Sequence, residues 1–421
     1  MNEHPLRDDG PRYRSVSGLR RVLSSPSIQT SALFGLTGVG FVGANLVLAK
    51  ILAPEDYALI ALVVAIMGVA VPLGPLGIDG VVNRSLLGPT RQLLFHSVGT
   101  SLFVGVASYG LAIGLYDMGH HLALLVLAGV AAGGVAMVAA AVFQRYQRFT
   151  VSLLLAQNGN FTLALAAAAM AALGARAVGY PVAAMVIGYV IAGLVGWVGL
   201  RHLSTEASPF PRPFAWRDAL HYAGVIGAGL LFLQLERLLI PKLLSLEDLA
   251  TFGVLAAVAI APFRMLQMGV AFSMLPRLRA TPSVSERRAL GLSELRTVGA
   301  ITLLGSVAVL LLVPSLLDLI FDQKYDVSLP LLWAAVVAGV LRVLAGFSRG
   351  VATALCTTKQ LALLNTLSWL SIGVAIGGAA IGARWGLVGL IYGTTGGWVL
   401  RVLAAGVLVW PHFESAPRMT Q

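Results

Sequence analysis

The sequence predicts an all-α polytopic membrane protein, with about twelve transmembrane helices in two six-helix lobes related by a parallel internal repeat. Three observations carry this. Hydrophobic residues make up 57% of the chain and charged residues only 11%, where a soluble domain carries about a quarter charged. The apolar residues fall in runs long enough to span a bilayer, about 20 residues at helical rise. And the chain writes one junction twice: Lys50-Ile51-Leu52-Ala53-Pro54-Glu55-Asp56-Tyr57-Ala58 returns at half-chain spacing as Lys242-Leu243-Leu244-Ser245-Leu246-Glu247-Asp248-Leu249-Ala250. Gly77 and Gly269 extend the register, as in parallel repeats built from duplicated helix bundles.

Taken in order, the first half gives spans over 28–52, 57–79, 92–116, 121–143, 151–173 and 178–200. The second gives 219–243, 249–274, 298–321, 329–351, 361–381 and 387–410. Most connections are short. Two are longer, over 201–218 between the halves and over 277–296. The expected organisation is a disordered basic tail over 1–26, a first lobe over 27–201, a linker over 202–218, a second lobe over 219–411 and a short tail over 412–421. The opening residues mix Arg, Ser, Pro and Asp and read as a topology-fixing tail, not a cleavable signal peptide.

Basic residues set the orientation. With both termini in the cytoplasm, the inside segments collect the arginines of the tail together with Arg84, Arg91, Arg145, Arg148, Arg201, Arg277, Arg279, Arg296, Arg349 and Lys359. The outside turns keep only Lys50, Arg176, Lys242, Lys324 and Arg384 as basic residues, and acids lean that way, with Glu55, Asp56, Asp117, Glu247, Asp248, Asp318, Asp322 and Asp326. The expected location is the bacterial cytoplasmic membrane. The net charge of +11 follows from this bias and from attraction to anionic headgroups, and is no sign of nucleic-acid binding. The single cysteine, Cys356, rules out an intrachain disulfide, and 47 glycines suit close helix contact in lipid. There is no Gly-rich phosphate loop and no His/Cys/carboxylate set at metal-ligand spacing, so neither ATP hydrolysis nor a metal cofactor is expected.

Charges left inside the spans point to cargo. A basic side chain near the bilayer centre costs about 2.5–3.5 kcal/mol on insertion scales, so it needs a partner or a wet cavity. The second half keeps Arg237, Arg264, Arg342 and Arg401 within its spans; the acids are Asp79 and Glu236. The first half offers mainly Asn45, Asn83 and the Gln157-Asn158-Asn160 cluster. Such asymmetry fits an anionic cargo held by the second lobe. Arg264 falls past the midplane beside Pro262, whose kink admits water, and Arg342 falls close to the midplane. A guanidinium suits pyrophosphate because its fork binds two oxygens and keeps its charge; structural pairing is the competing reading for both. Glu236 and Arg237 diverge by about 100° on a helix, so one would face the cavity and the other brace a neighbour. Glu236 and Asp79 are the carboxylates available for coupling or gating, although Asp79 also reads as a solvated partner of Arg84. Arg401 is expected to snorkel inward. Lys50 and Lys242 read as caps working with the acids of their own turns.

Four stretches resemble one family. Leu48-Ala49-Lys50-Ile51-Leu52-Ala53-Pro54-Glu55-Asp56-Tyr57-Ala58-Leu59 resembles the first-turn signature of polysaccharide flippases, the Wzx-type members of the multidrug/oligosaccharidyl-lipid/polysaccharide (MOP) exporter superfamily. Leu235-Glu236-Arg237-Leu238-Leu239-Ile240 sits where these proteins carry an acidic-basic pair in the seventh helix. Phe321-Asp322-Gln323-Lys324-Tyr325 is similar to their turn before the tenth helix, and Trp385-Gly386-Leu387-Val388-Gly389 to the opening of the twelfth. Ala58 and Asp322 replace the usual glycines, Glu236 the commoner Asp, and Trp385 a Tyr, as in a divergent member.

The resemblance implies two lobes around a cavity that opens alternately to each side. The implied cargo is a polyprenyl-pyrophosphate-linked oligosaccharide moved between leaflets for O-antigen or exopolysaccharide synthesis. A polysaccharide polymerase and chain-length proteins would act downstream, and the drive would come from a proton gradient, a sodium gradient or the membrane potential. A cation-coupled multidrug exporter of the same superfamily is the alternative, but it calls for an acid-rich cavity. A membrane polysaccharide polymerase is a third reading; it calls for a large outer loop with catalytic acids, and the outer turns here are short. Lipid II flippases typically carry two further C-terminal helices, an expectation against that assignment.

Overall fold

A computed structural model describes residues 26–84, 88–202, 214–267 and 283–414, with Leu278 and Thr281 besides. Nearly all of the expected 1–26 tail, most of the 202–218 linker and of the 412–421 tail, and Gly269 lie outside the described residues. Among the described residues the secondary structure is helical throughout.

The first half comprises α1 (Pro26–Ile51), α2 (Pro54–Leu73), α3 (Ile78–Arg84), α4 (Arg91–Tyr116), α5 (His120–Arg145), α6 (Phe149–Ala156), α7 (Asn158–Leu173) and α8 (Gly179–Leu200). The second comprises α9 (Trp216–Leu243), α10 (Leu246–Gln267), α11 (Val284–Phe321), α12 (Leu329–Leu355), α13 (Thr358–Gly382), α14 (Gly386–Val409) and the short α15 (Pro411–Glu414). Nine described segments are long and apolar enough to cross a membrane, and the bent pair α6–α7 makes a tenth. One of the nine, Thr358–Phe413, is two crossings, because the 3-10 turn Ala383–Trp385 folds α14 back along α13. With α1, apolar over Gly35–Ile51, the described helices supply the twelve crossings.

Three expectations need correction. The second span is not one helix: the Gly74-Pro75-Leu76-Gly77 stretch ends α2 and starts α3, with Leu76 and Gly77 both at positive φ. Proline removes a donor and glycine permits the left-handed turn. The fifth span bends by 56° at Gln157, where Asn160 turns its amide back onto the Gln157 side chain at 2.6 Å; polar side chains compete with the helix ladder there. And the supposed loop over 277–296 is largely helix, because α11 begins at Val284, capped by the Ser283 hydroxyl accepting from the Glu286 N–H at 3.2 Å.

The burial pattern is that of a bundle solvated by lipid. Leu319 is 78% and Leu173 82% exposed, while the charged Glu236 and Arg342 are buried. Within each half, glycines set the closest crossings. Along α13 and α14, Gly378 faces the Gly393 backbone and Gly382 the Gly389 backbone, so that a Cβ at any of these would meet main chain.

The halves meet along α2, which packs against α9 and α10. Gly77 lies against the backbone of Ala219, and Gly80 against the Tyr222 ring. Farther along α2, Gly68 faces the Gln234 amide and Tyr57 covers Gly253. At the end of the molecule bearing the acidic turns, polar contacts also bridge the halves. The Lys324 ammonium donates to the carbonyls of Ala49 (2.7 Å), Lys50 (3.3 Å) and Leu52, and the Tyr325 hydroxyl to Ala49 at 2.9 Å. Tyr116 donates to the Leu238 carbonyl at 2.9 Å. These bonds fasten the second half over the carboxyl end of α1, where helix carbonyls lack partners of their own.

The two copies of the repeated junction are capped differently. Ser245 accepts from the Asp248 N–H at 3.1 Å and Asp248 bonds back to the Ser245 N–H at 3.1 Å, a full capping box. In the first copy Ala53 offers no side chain and Pro54 starts α2 instead, its missing N–H costing nothing at that position. Lys242 does not work with the acids of its own turn: it pairs with Asp117 at 3.9 Å, across the halves. Lys50 forms no ion pair among the described residues.

Candidate functional site

The interior charges of the second half gather where α9, α10, α12 and α14 converge. Glu236 and Arg237 point apart, as their helical spacing requires. Glu236 turns into the second half, where its carboxylate accepts from Arg342 on α12 and from the Thr394 hydroxyl on α14 at 3.4 Å. It is 2% exposed and Arg342 is 4% exposed. The Arg342 guanidinium also lies 5.4 Å from the Trp398 ring centre. A pair this buried is held by mutual charge and cannot lose either member cheaply.

Arg237 turns the other way, toward the first half. It is buried, 3.5 Å from the Gln234 side-chain oxygen, and within electrostatic reach of Tyr57 on α2. Tyr57 in turn reaches Asn45 on α1 at 3.5 Å. Tyr57 and Asn45 of the first half thus stand on the side of Arg237 and Gln234.

Arg264 sits on α10 just past a widened turn. Residues Ala256–Ile260 form a π-helix, with the Ala261 N–H reaching back to the Ala256 carbonyl. The next residue, Pro262, has no N–H to give, and a π turn absorbs the mismatch where a regular helix would clash. Arg264 lies within electrostatic range of Arg237 and Arg342, yet it forms no hydrogen bond or ion pair among the described residues and is half-buried. Three guanidinium groups therefore share one region with one carboxylate, which Arg342 already occupies.

Asp79 stands apart from this cluster. It lies in the first turn of α3, and one carboxylate oxygen, Oδ1, is buried without a hydrogen-bond partner among the described residues. The expected pairing with Arg84 is absent: Arg84 instead stacks over the Tyr222 ring at 4.4 Å, tying α3 to α9. Arg401 does not simply snorkel. It donates to the Ser371 hydroxyl at 2.8 Å and to the carbonyls of Ala228 (3.1 Å) and Ser368 (3.3 Å), with its guanidinium over Phe232 at 3.9 Å.

Sequence reasoning overlooked two participants. Trp398, 2% exposed, is flanked by Arg342 and Arg401. Arg349 was counted with the inside basic residues, at the inner end of the tenth span; it lies within α12 and lines a cleft with Arg401. The signal for Arg349 was present: it stands seven residues after Arg342, two helical turns along one face. None of the described residues forms a His, Cys, Asp or Glu cluster that could hold a metal.

No family model matches the chain, and no curated protein matches it in sequence. Solved structures do match in fold. A lipid II flippase, MurJ, in an inward closed conformation superposes with a TM-score of 0.64 at 12% identity, over 92% of this chain and 89% of that one. A multidrug resistance MATE family transporter of the MOP superfamily, in an inward-facing conformation, gives 0.59 at 13% identity, over 89% and 93%. A MATE structure in complex with MaD3S gives 0.54 at 14% identity, over 96% and 100%. This chain has the all-helical, two-lobed fold of MOP superfamily flippases and transporters.

Proposed function

We propose that this protein is a flippase carrying a polyprenyl-pyrophosphate-linked oligosaccharide from the cytoplasmic to the outer leaflet, for surface polysaccharide synthesis. The single observation that carries the reading is the charge imbalance at the meeting point of the halves. Arg264 has no hydrogen-bond or ion-pair partner among the described residues, Arg237 forms no ion pair there, and Glu236 is bound to Arg342. Unpaired guanidinium in the membrane calls for an anion, and a pyrophosphate offers paired oxygens to the guanidinium fork.

On this reading Arg264 and Arg237 contact the pyrophosphate. Arg342, held by Glu236, contributes field and not direct contact. Release of Arg342 from Glu236 would be the gating step, and Asp79, with a buried unpartnered oxygen, would be the carboxylate open to a coupling proton or sodium ion. The polyprenol stays in lipid while the polar head crosses between the lobes, which rock between two openings. The arginine-rich ends face the cytoplasm, so the acidic-turn contacts close the outer side and leave the inner leaflet as the loading side. A multidrug exporter for cationic compounds fits less well, because the one carboxylate in the cluster is already neutralised.

The test is a strain lacking the gene, with lipid-linked glycans extracted and assigned to a leaflet. Complete polyprenyl-pyrophosphate oligosaccharide held on the cytoplasmic side, with surface polysaccharide lost and restored by wild type but not by Arg264→Ala, is the expected result. Wild-type delivery by an Arg264→Ala protein that inserts normally would remove the pyrophosphate role.

A further inference from the structure

A second basic site lies within the second half, away from the meeting point of the lobes. A cavity of about 80 Å³ opens between α9, α10, α12, α13 and α14, toward the arginine-rich end of the bundle. Its polar wall consists of Arg349, Arg401, Gln267, Ser368 and the Trp398 ring, and no lining residue is acidic. The Trp398 ring lies near both places: the Arg342 guanidinium is 5.4 Å and the Arg401 guanidinium 5.6 Å from its centre.

The groups lining this cavity are built but unsatisfied. Arg401 is fixed by Ser371, Ala228 and Ser368 through Nε and Nη2 only, which leaves Nη1 free of those bonds. Arg349 is exposed and its side chain has no hydrogen bond or ion pair among the described residues; its Nη1 lies over the bare face of Gly229, where a Cβ would be 3.6 Å away. The Trp398 Nε1–H is fully buried and has no partner, and the Gln267 Oε1 likewise. A buried indole N–H without an acceptor costs roughly 1–3 kcal/mol, and no carboxylate lines the cavity to balance its two guanidinium groups. Rotation of the Gln267 amide, whose O and N are interchangeable by a flip, would present its NH2 to the same space. Arg349, Arg401, the Trp398 N–H and the flipped Gln267 amide can then all donate, while the Ser368 hydroxyl gives its proton to the Leu364 carbonyl at 2.8 Å.

We infer that this cavity is a binding site for a small phosphate-class oxyanion, held by Arg349 and Arg401 with the Trp398 N–H as a third donor. Its volume suits one phosphoryl group or a few waters, not a sugar. The oxyanion is either free phosphate or the phosphomonoester head of an anionic lipid reaching in from the leaflet at the arginine-rich face. The site is independent of the cargo assignment, because it uses none of Arg237, Arg264 or Arg342.

The test uses the full chain in neutral phosphatidylcholine nanodiscs, titrated calorimetrically with inorganic phosphate and, separately, with phosphatidic acid incorporated in the disc. Saturable binding is expected. Arg349→Gln, at an exposed side chain with no bonds to lose, should weaken it at least about tenfold, the worth of a charge-assisted hydrogen bond. Trp398→Phe, which keeps the ring and removes the N–H, should weaken it several-fold, and Arg264→Ala should leave it unchanged. Tighter binding of phosphatidic acid than of phosphate would identify the lipid head as the source, and equal or weaker binding the free ion. Absence of binding by both probes, or binding that Arg349→Gln and Trp398→Phe leave intact, would overturn the site. Loss of binding in Arg264→Ala alone would move the anion to the inter-lobe cluster and would equally overturn it.

Discussion

Lys324, in the turn between α11 and α12, donates to the carbonyl of Ala49 at 2.7 Å, at the end of α1 in the opposite half. The cation thus caps a helix that belongs to the other lobe, satisfying carbonyls at the negative end of its dipole. Tyr325 repeats the contact on the same carbonyl. On the rocking mechanism proposed above the two halves would part here, and this cap would then latch the closed form. Replacing Lys324 by Met, with Tyr325→Phe, removes charge-assisted bonds worth about 1.5–3 kcal/mol when buried, and less here because Lys324 is half-exposed. Spin labels at Ala53→Cys and Asp326→Cys, in a Cys356→Ser background, should show a new population of longer distances in the double variant. An unchanged distribution would show that the latch carries no weight.

Glu236 and Arg342 form the pair whose loss should hurt most. Glu236→Ala leaves the Arg342 guanidinium buried without its carboxylate partner. The expected destabilisation is about 3–5 kcal/mol. The matched apolar pair Glu236→Leu with Arg342→Met should recover most of that, since a buried ion pair can be replaced by packed side chains at little net cost. Thermal unfolding in detergent separates the two cases. Equal melting points for the single and double variants would mean that the pair is already hydrated.

The crossings were legible because length and hydropathy alone define a bilayer span, and the ends read from sequence fall within a few residues of α1, α4, α5, α8 and α12–α14. The breaks were harder. Gly74-Pro75-Leu76-Gly77 carries an evident turn signature, but it sits in apolar sequence where a continuous span is the default. The start of α11 was missed because its first turns are polar and amphipathic, and a hydropathy reading sees only a loop. Site pairings could not be read at all. Glu236 meets Arg342 across 106 positions, and Lys324 meets Ala49 across 275; such contacts follow from how helices pack and not from spacing along the chain. What sequence did supply was the inventory, since Arg237, Arg264 and Arg342 stand out wherever charge is rare.

Gly77 is the glycine whose replacement the structure forbids twice over. Its φ is +83°, and a Cβ there would run into the Ala219 carbonyl on α9. The left-handed backbone alone costs an L-residue about 1–2 kcal/mol, and the collision would push α3 from α9 where the halves meet. Gly77→Ala should therefore lower the yield of folded protein on size-exclusion chromatography, whereas Gly99→Ala, where a Cβ meets nothing within 4 Å, should not. Equal yields would mean that α3 can slide without consequence.

Cys356, at the carboxyl end of α12, can report which way the bundle lies. It is half-buried, its thiol 3.7 Å from the Leu408 carbonyl, and burial pushes its pKa above the ordinary thiol value. Only the thiolate reacts with a maleimide, so labelling should be slow at neutral pH and should accelerate as pH rises toward the elevated pKa. Lys359→Cys in a Cys356→Ser background supplies an exposed neighbour on the same face, expected to label at an ordinary rate. If the arginine-rich ends lie in the cytoplasm, a membrane-impermeant maleimide should reach neither thiol in intact cells and both after permeabilisation, with Cys356 the slower. Labelling of the residue 359 thiol in intact cells would invert the topology, and with it the direction of transport assigned above.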